Sequence, residues 1–303
     1  MHKYLKWIDK NCNKLNDEIV VITGGYGTIG FNITYYLVYL GAKIVMLARD
    51  FKKANICKER ILKDFPNAKI DILYVDLFDI ESIDKILPTL IKYKIKYFIS
   101  NAGIYHLPKL KNKYGLERTL TVNFYAVYKL INGLKETIAR NNGKIILQSS
   151  ISINFVNFKK IDFDDLNFDN TKNLTLKYAK TKALLTIYGL YLKRKGVNIE
   201  IVQPGVVATG LFSASRGGFS KLFINTIVPL MKVLFISPSK GALPCLFALN
   251  KNSKYGYWFG PRGFLKIYGY PNVQKINKKN LNAEFQDILV KKLEVIDEKN
   301  KSH

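Results

Sequence analysis

Short apolar runs rich in isoleucine and valine recur along the chain, separated by longer stretches whose apolar residues return every three or four positions. The runs predict strands at Ile19–Thr23, Lys43–Leu47, Ile70–Val75, Tyr97–Ser100, Lys144–Gln148 and Asn198–Val202. The longer stretches predict helices near Thr28–Leu40, Phe51–Asp64, Ile80–Tyr93, Leu116–Ala139 and Leu174–Lys195. Nearly continuous apolar character implies that the strands are buried on both faces. Strands that alternate with helices imply a parallel sheet, because each parallel crossover needs an element to cover it. The expected architecture is α/β: one doubly wound parallel sheet with helices on both faces.

No internal repeat or low-complexity linker divides the chain, so one catalytic domain is expected over residues 18–274. Residues 1–17 read as an N-terminal extension, and 275–303 as a charged tail, a peripheral helix or partly disordered. The stretch from about 210 to 263 departs from the alternation. It holds Gly217-Gly218, an apolar helical segment and a second helix starting at Ser237-Pro238. Insertions past the carboxyl ends of strands build substrate pockets in doubly wound sheets, so a substrate lid is expected here.

Composition narrows the class. Cys12, Cys57 and Cys245 are scattered, with no CxxC pair and no histidine cluster, which argues against disulfides and zinc and for a reducing cytoplasm. The three histidines, His2, His106 and His303, give metal catalysis no support. The first residues lack the apolar core of a signal peptide. Leu222–Ile236 is too short and too interrupted, by Asn225, Pro229 and Lys232, to span a bilayer, though it could lie against a membrane or over an active site. Apolar and aromatic residues over Phe212–Ile236 suggest a hydrophobic lid, hence a lipophilic alcohol, aldehyde or ketone as substrate. A net charge of +25, from 48 basic and 23 acidic residues, invites a nucleic-acid partner. The basic residues are mostly lysines spread along the chain, however, and no nucleic-acid motif accompanies them. A solvated basic surface is the expectation, with no specific nucleic-acid binding.

Chemistry enters at the first strand. Thr23-Gly24-Gly25-Tyr26-Gly27-Thr28-Ile29-Gly30 leads directly into a helix. Glycines let a backbone approach a pyrophosphate, and the helix start offers unpaired N–H groups to the anion, so a Rossmann-type dinucleotide site is expected. Arg49 follows the second strand and suits a 2′-phosphate, which favours NADP, with NAD as the alternative. Asp76 and Leu77, past the third strand, are placed to meet adenine.

From about Glu18 to Gln274 these residues resemble the short-chain dehydrogenase/reductase family. Asn101-Ala102-Gly103 follows the fourth strand, Asn123 lies in Thr-Val-Asn-Phe, Ser150 ends the fifth strand, Tyr178 and Lys182 form Tyr-x-x-x-Lys, and Pro204-Gly205 follows the sixth. The stretches Leu47-Ala48-Arg49-Asp50, Phe163-Asp164-Asp165-Leu166-Asn167 and Ser237-Pro238 resemble the retinol-dehydrogenase-like branch. The 28-residue separation of Ser150 from Tyr178 fits its Asp-Asp-Leu-Asn insertion. Two features depart from the family pattern: Thr28 stands where a glycine is usual, and Ser100 precedes Asn101. The glycine spacing by itself matches the extended, sugar-nucleotide branch.

Tyr178 and Lys182, four apart on one helix, share a face. An ammonium there would stabilise a phenolate and lower a phenol pKa that is otherwise about 10. The resemblance implies that Tyr178 is the acid/base and that Lys182 also bonds the nicotinamide ribose. It implies that Ser150 donates to the substrate oxygen and that Asn123 positions a water linking Lys182 to solvent. Pro204, Gly205, Val207 and Thr209 would hold the nicotinamide end. The implied activity is hydride transfer between NAD(P) and a small-molecule alcohol or carbonyl, in a homodimer or homotetramer. The competing readings are a non-catalytic dinucleotide sensor or scaffold on the same fold, and a sugar-nucleotide epimerase or dehydratase.

Overall fold

A computed structural model of the chain describes residues 2–105, 110–207, 236–263 and 266–301. Thr209, His106 and the apolar stretch 222–235 lie outside them. Helix α1 (Leu5–Asn11) precedes β1 (Ile19–Thr23), α2 (Thr28–Tyr39), β2 (Lys43–Ala48), α3 (Phe51–Leu62), β3 (Ile70–Tyr74), α4 (Ile80–Leu90) and β4 (Ile95–Ser100). A short turn α5 (Arg118–Leu120) passes through a π-helical turn, Thr121–Tyr125, into α6 (Ala126–Arg140). Then come β5 (Lys144–Gln148), α7 (Leu174–Arg194), β6 (Ile199–Val202), α8 (Pro238–Gly241), α9 (Leu243–Asn250), β7 (Tyr257–Pro261), β8 (Pro271–Lys275) and α10 (Ala283–Lys301).

The sheet order is β3-β2-β1-β4-β5-β6-β7-β8, parallel throughout except for β8, which runs antiparallel to β7. The order reverses between β1 and β4, and that switch point opens a crevice at the strands' carboxyl ends. Side chains alternate across the sheet. Val21 and Phe98 face the layer of α4, α6 and α7, whereas Val20, Ile22 and Ile99 face α2, α3 and α9. Side-chain caps start several helices: Asp50 accepts from Lys53 N, Asp79 from Glu81 N and Asn173 from Leu176 N.

Four regions differ from the sequence expectation. Residues 238–250, counted with the lid, are core: Leu243, Cys245, Leu246 and Ala248 are fully buried, and the helices pack on α2 and the sheet. A helix apolar on every face belongs inside, not over a cleft. The charged tail forms α10, which lies along α7 and buries Leu289, Val290 and Leu293; Arg194 also pairs with Asp287. The N-terminal extension likewise sends Ile8 into the core. Strands β7 and β8 were not expected, because Gly260, Pro261 and Pro271 interrupt their apolar pattern.

Candidate active site

The crevice at the switch point is a cleft of about 610 Å³. Gly24, Gly27, Thr28, Ile29 and Gly30 line it from the β1–α2 turn, and Arg49, Asp76 and Leu77 from the ends of β2 and β3. Asn101, Ala102 and Gly103 line it after β4, Ser150 after β5, Tyr178 and Lys182 from α7, and Pro204, Gly205 and Val207 after β6. The topology thus gathers into one cavity residues that are scattered in sequence.

The glycine turn is built for close approach. Gly24 has φ +63°, and a Cβ on Gly30 would stand 2.0 Å from the Gly24 oxygen. Gly27 caps α2 without any side-chain bond, so the first turn of that helix keeps its N–H groups for another acceptor. Asn101 fixes the turn from behind: its Nδ2 donates to the oxygens of Thr23 (3.1 Å) and Gly24 (3.0 Å). The Thr23 hydroxyl accepts from the Asn101 and Ala102 N–H groups, both at 3.1 Å. Thr23 is buried and does not line the cleft, so it supports the turn instead of contacting a ligand. Arg49 is exposed at the rim, and no carboxylate pairs with it among the described residues. Asp50 beside it is occupied: it caps α3 and pairs with Lys53 at 3.1 Å, and these contacts hold its carboxyl below the ordinary range. Glycine cradle, uncapped helix start and rim arginine all fit a phosphorylated dinucleotide.

At the other end of the cleft, Tyr178 is half-buried while Lys182 is only 4% exposed. Lys182 Nζ donates to the Gln148 oxygen at 2.8 Å and lies against Gly103. Burial lowers its pKa to about 8. Burial raises the Tyr178 phenol to about 12, with Ser150 pulling the other way and Tyr105 adding to the rise. Burial thus outweighs, for this phenol, the lowering expected from Lys182.

Asn123 stands outside the cleft lining. It is fully buried in the π-helical turn, where Oδ1 accepts from Ile104 N (2.8 Å) and Nδ2 donates to Ile104 O (2.9 Å). Its amide clamps the loop that follows β4 and does not reach the cleft. Tyr105, Thr175 and Gln148 are among the lining residues that sequence reasoning missed. Tyr105 stands edge-on to Tyr178, ring centroids 5.1 Å apart, and its hydroxyl meets Thr175 Oγ1 at 2.8 Å. Gln148 Nε2 donates to Asn101 Oδ1 at 2.9 Å, joining the catalytic end to the glycine turn. Gln148 could have been found as the last residue of a strand that ends at the crevice; nothing local singles out Tyr105 or Thr175.

The profile of the short chain dehydrogenase family matches residues 18–159. "Short-chain dehydrogenase TIC 32 B, chloroplastic" of Brassica napus is 30% identical over 248 residues, covering 77% of this chain and 76% of that one. The chain belongs to the short-chain dehydrogenases. Retinol dehydrogenase 13 of Homo sapiens is 26% identical over 237 residues, covering 76% and 71%, so this short-chain dehydrogenase has retinol-dehydrogenase relatives. Among solved structures, an uncharacterized protein from Mycobacterium paratuberculosis superposes with TM-score 0.71 at 18% identity, over 95% and 96% of the chains. L-sorbose reductase from Gluconobacter frateurii, complexed with NADPH and L-sorbose, gives 0.58 at 19%, over 79% and 91%. The fold is theirs. Membership makes the protein an NAD(P)-dependent oxidoreductase of CH–OH and C=O groups. Among the described residues no helix is long and apolar enough to cross a membrane, and no His/Cys/Asp/Glu group could hold a metal.

Proposed function

We propose that the protein is an NADP-preferring carbonyl reductase or alcohol dehydrogenase in which Tyr178 is the acid/base. The observation that carries this reading is Tyr178 itself: a phenol that lines the same cleft as Ser150, one helical turn from the buried Lys182. A phenol raised to about 12 keeps its proton at neutral pH, which suits donation to a carbonyl oxygen. Ser150 is placed to stabilise charge on that oxygen. The Lys182 ammonium lies within the same pocket to offset negative charge left on Tyr178 after transfer. When bound, the nicotinamide supplies or accepts the hydride.

NADP is favoured over NAD on two counts. Arg49 is available at the rim, whereas Asp50, the acidic residue beside it, is committed to Lys53. NADPH in the L-sorbose reductase structure agrees with this choice. A lipophilic substrate is supported by Ile104, Tyr105, Val122, Ile151 and Phe155 around the Tyr178 end, Phe155 being 77% exposed. We take the catalytic domain to include both terminal segments, since Ile8 and Leu289 are core residues. The deciding experiment compares wild type with Tyr178→Phe in NADPH oxidation against a panel of aliphatic and aromatic aldehydes. Turnover by wild type and a loss of about a thousandfold in the variant is expected. Equal rates in both would remove Tyr178 from the chemistry.

A further inference from the structure

We propose that Asn167 is a positioning residue: its side chain locks the segment leading into the Tyr178 helix to the entry of the Asn123 turn. This rests on the catalytic reading of Tyr178. Asn167 lies in the insertion between Ser150 and Tyr178, outside the cleft, and its one amide group bridges two backbone sites two residues apart. Oδ1 accepts from Glu117 N at 2.9 Å, and Nδ2 donates to Gly115 O at 2.9 Å. A planar group with one acceptor and two donors can do both at once, which no aliphatic side chain of that shape can. Its neighbours hold it there. Leu166 and Phe168 are 6% and 2% exposed and belong to the same core as α6 and α7. Phe168 has φ +52°, a left-handed conformation that a non-glycine residue keeps only when its surroundings enforce it.

Hydrogen bonds run from this bridge toward both halves of the site. On one side, the buried Glu117 carboxylate caps α5 through Thr119 N (2.7 Å) and Leu120 N (3.1 Å). The next turn carries Asn123, which clamps Ile104 in the loop that lines the cleft. On the other side, the Asn167 main-chain oxygen accepts from Lys177 Nζ at 3.3 Å, immediately before Tyr178. Lys180 Nζ donates to Thr171 Oγ1 at 2.8 Å and lies over the Phe168 ring at 4.9 Å. Lysines on both sides of Tyr178 therefore fasten its helix to the insertion, and Asn167 fastens the insertion to the Asn123 turn. The distance between phenol and loop is set through this bridge and not only through the sheet.

The test uses the full chain as wild type, Asn167→Leu, Asn167→Asp and Tyr178→Phe. Amide hydrogen exchange needs no substrate. In Asn167→Leu, exchange over residues 115–123 and over 174–182 should rise together, by about tenfold for the loss of two neutral hydrogen bonds. Asn167→Asp retains the acceptor and should restore protection at Glu117. With NADPH and octanal as probe, kcat of the leucine variant should fall about tenfold while KM for NADPH holds within about twofold. Faster exchange confined to 164–170, or an aspartate variant no better protected than leucine, would overturn the proposal. Wild-type turnover by Tyr178→Phe would instead sink the catalytic reading, leaving the exchange result to judge the bridge by itself.

Discussion

The ammonium of Lys182 donates to the main-chain oxygen of Gln148 at 2.8 Å, and the Gln148 side chain in turn donates to Asn101. Asn101 holds the oxygens of Thr23 and Gly24. Gln148, through its main chain and its side chain, thus links the helix bearing Tyr178 with the glycine turn at the far end of the cleft. Both ends of a bound dinucleotide would rest on the same polar scaffold, which makes cofactor binding and the placement of the acid/base interdependent.

Lys182 should leave a signature in stability. Its pKa is about 8 in the folded protein and 10.5 ordinarily. Below the lower value both folded and unfolded chains carry the proton; between the two values only the unfolded chain does. Stability should therefore climb with pH across that window, by about 3 kcal/mol in all. Urea unfolding of wild type and Lys182→Met through the window checks this, since the other titrating groups cancel in the comparison. Parallel slopes for the two proteins would mean that the folded lysine is not depressed.

Arg49→Ala should erase dinucleotide preference. A charge-assisted contact to a 2′-phosphate contributes roughly 1.5–3 kcal/mol, so NADPH affinity should drop by about ten- to a hundredfold while NADH affinity stays put. Fluorescence titration of both dinucleotides against both proteins reads the difference. An unchanged ratio would return Arg49 to the solvated surface.

Gly30→Ala meets backbone. The added Cβ would stand 2.0 Å from the Gly24 oxygen and 2.7 Å from Asn101 Nδ2. Relief requires moving the turn, so a loss of about 1–3 kcal/mol in stability is expected. NADPH binding should weaken at least about tenfold with it, because the pyrophosphate cradle is the part displaced. Gly27→Ala, whose Cβ meets only the Gly24 oxygen at 3.3 Å, should be milder in both measurements.

Leu289→Ala tests whether the terminal helix belongs to the folded unit. Leu289 is fully buried against the core shared with α7. Truncating it should cost about 2–5 kcal/mol in urea unfolding and narrow nothing in cofactor preference. A loss under about 0.5 kcal/mol, the range of surface substitutions, would show that α10 docks too weakly to matter.

Much of the architecture was legible because it is written locally. Ile19–Thr23 and Lys144–Gln148 begin and end where their apolar runs do, and β1 is followed at once by the turn that its glycines demand. The helix predicted over Leu116–Ala139 was right in place but not in character. Near its start, Thr121–Tyr125 is a π-helical turn that points the Asn123 amide at Ile104, which apolar periodicity does not report. Strands β7 and β8 were missed because their glycine and prolines read as loop. Only pairing of β7 with β6 and of β8 with β7 makes them strands.

The sequence by itself determined the parallel α/β sheet, the dinucleotide turn and the side chains offered to the cleft, since these follow from periodicity, glycine chemistry and spacing within single elements. Tertiary structure decided what those side chains do. Lys182 finds the Gln148 oxygen, the Asn123 amide finds Ile104, and the charged tail docks into the core. The reason is physical: burial, and the partner each polar group finds, depend on chain segments tens of residues away, which no local pattern encodes.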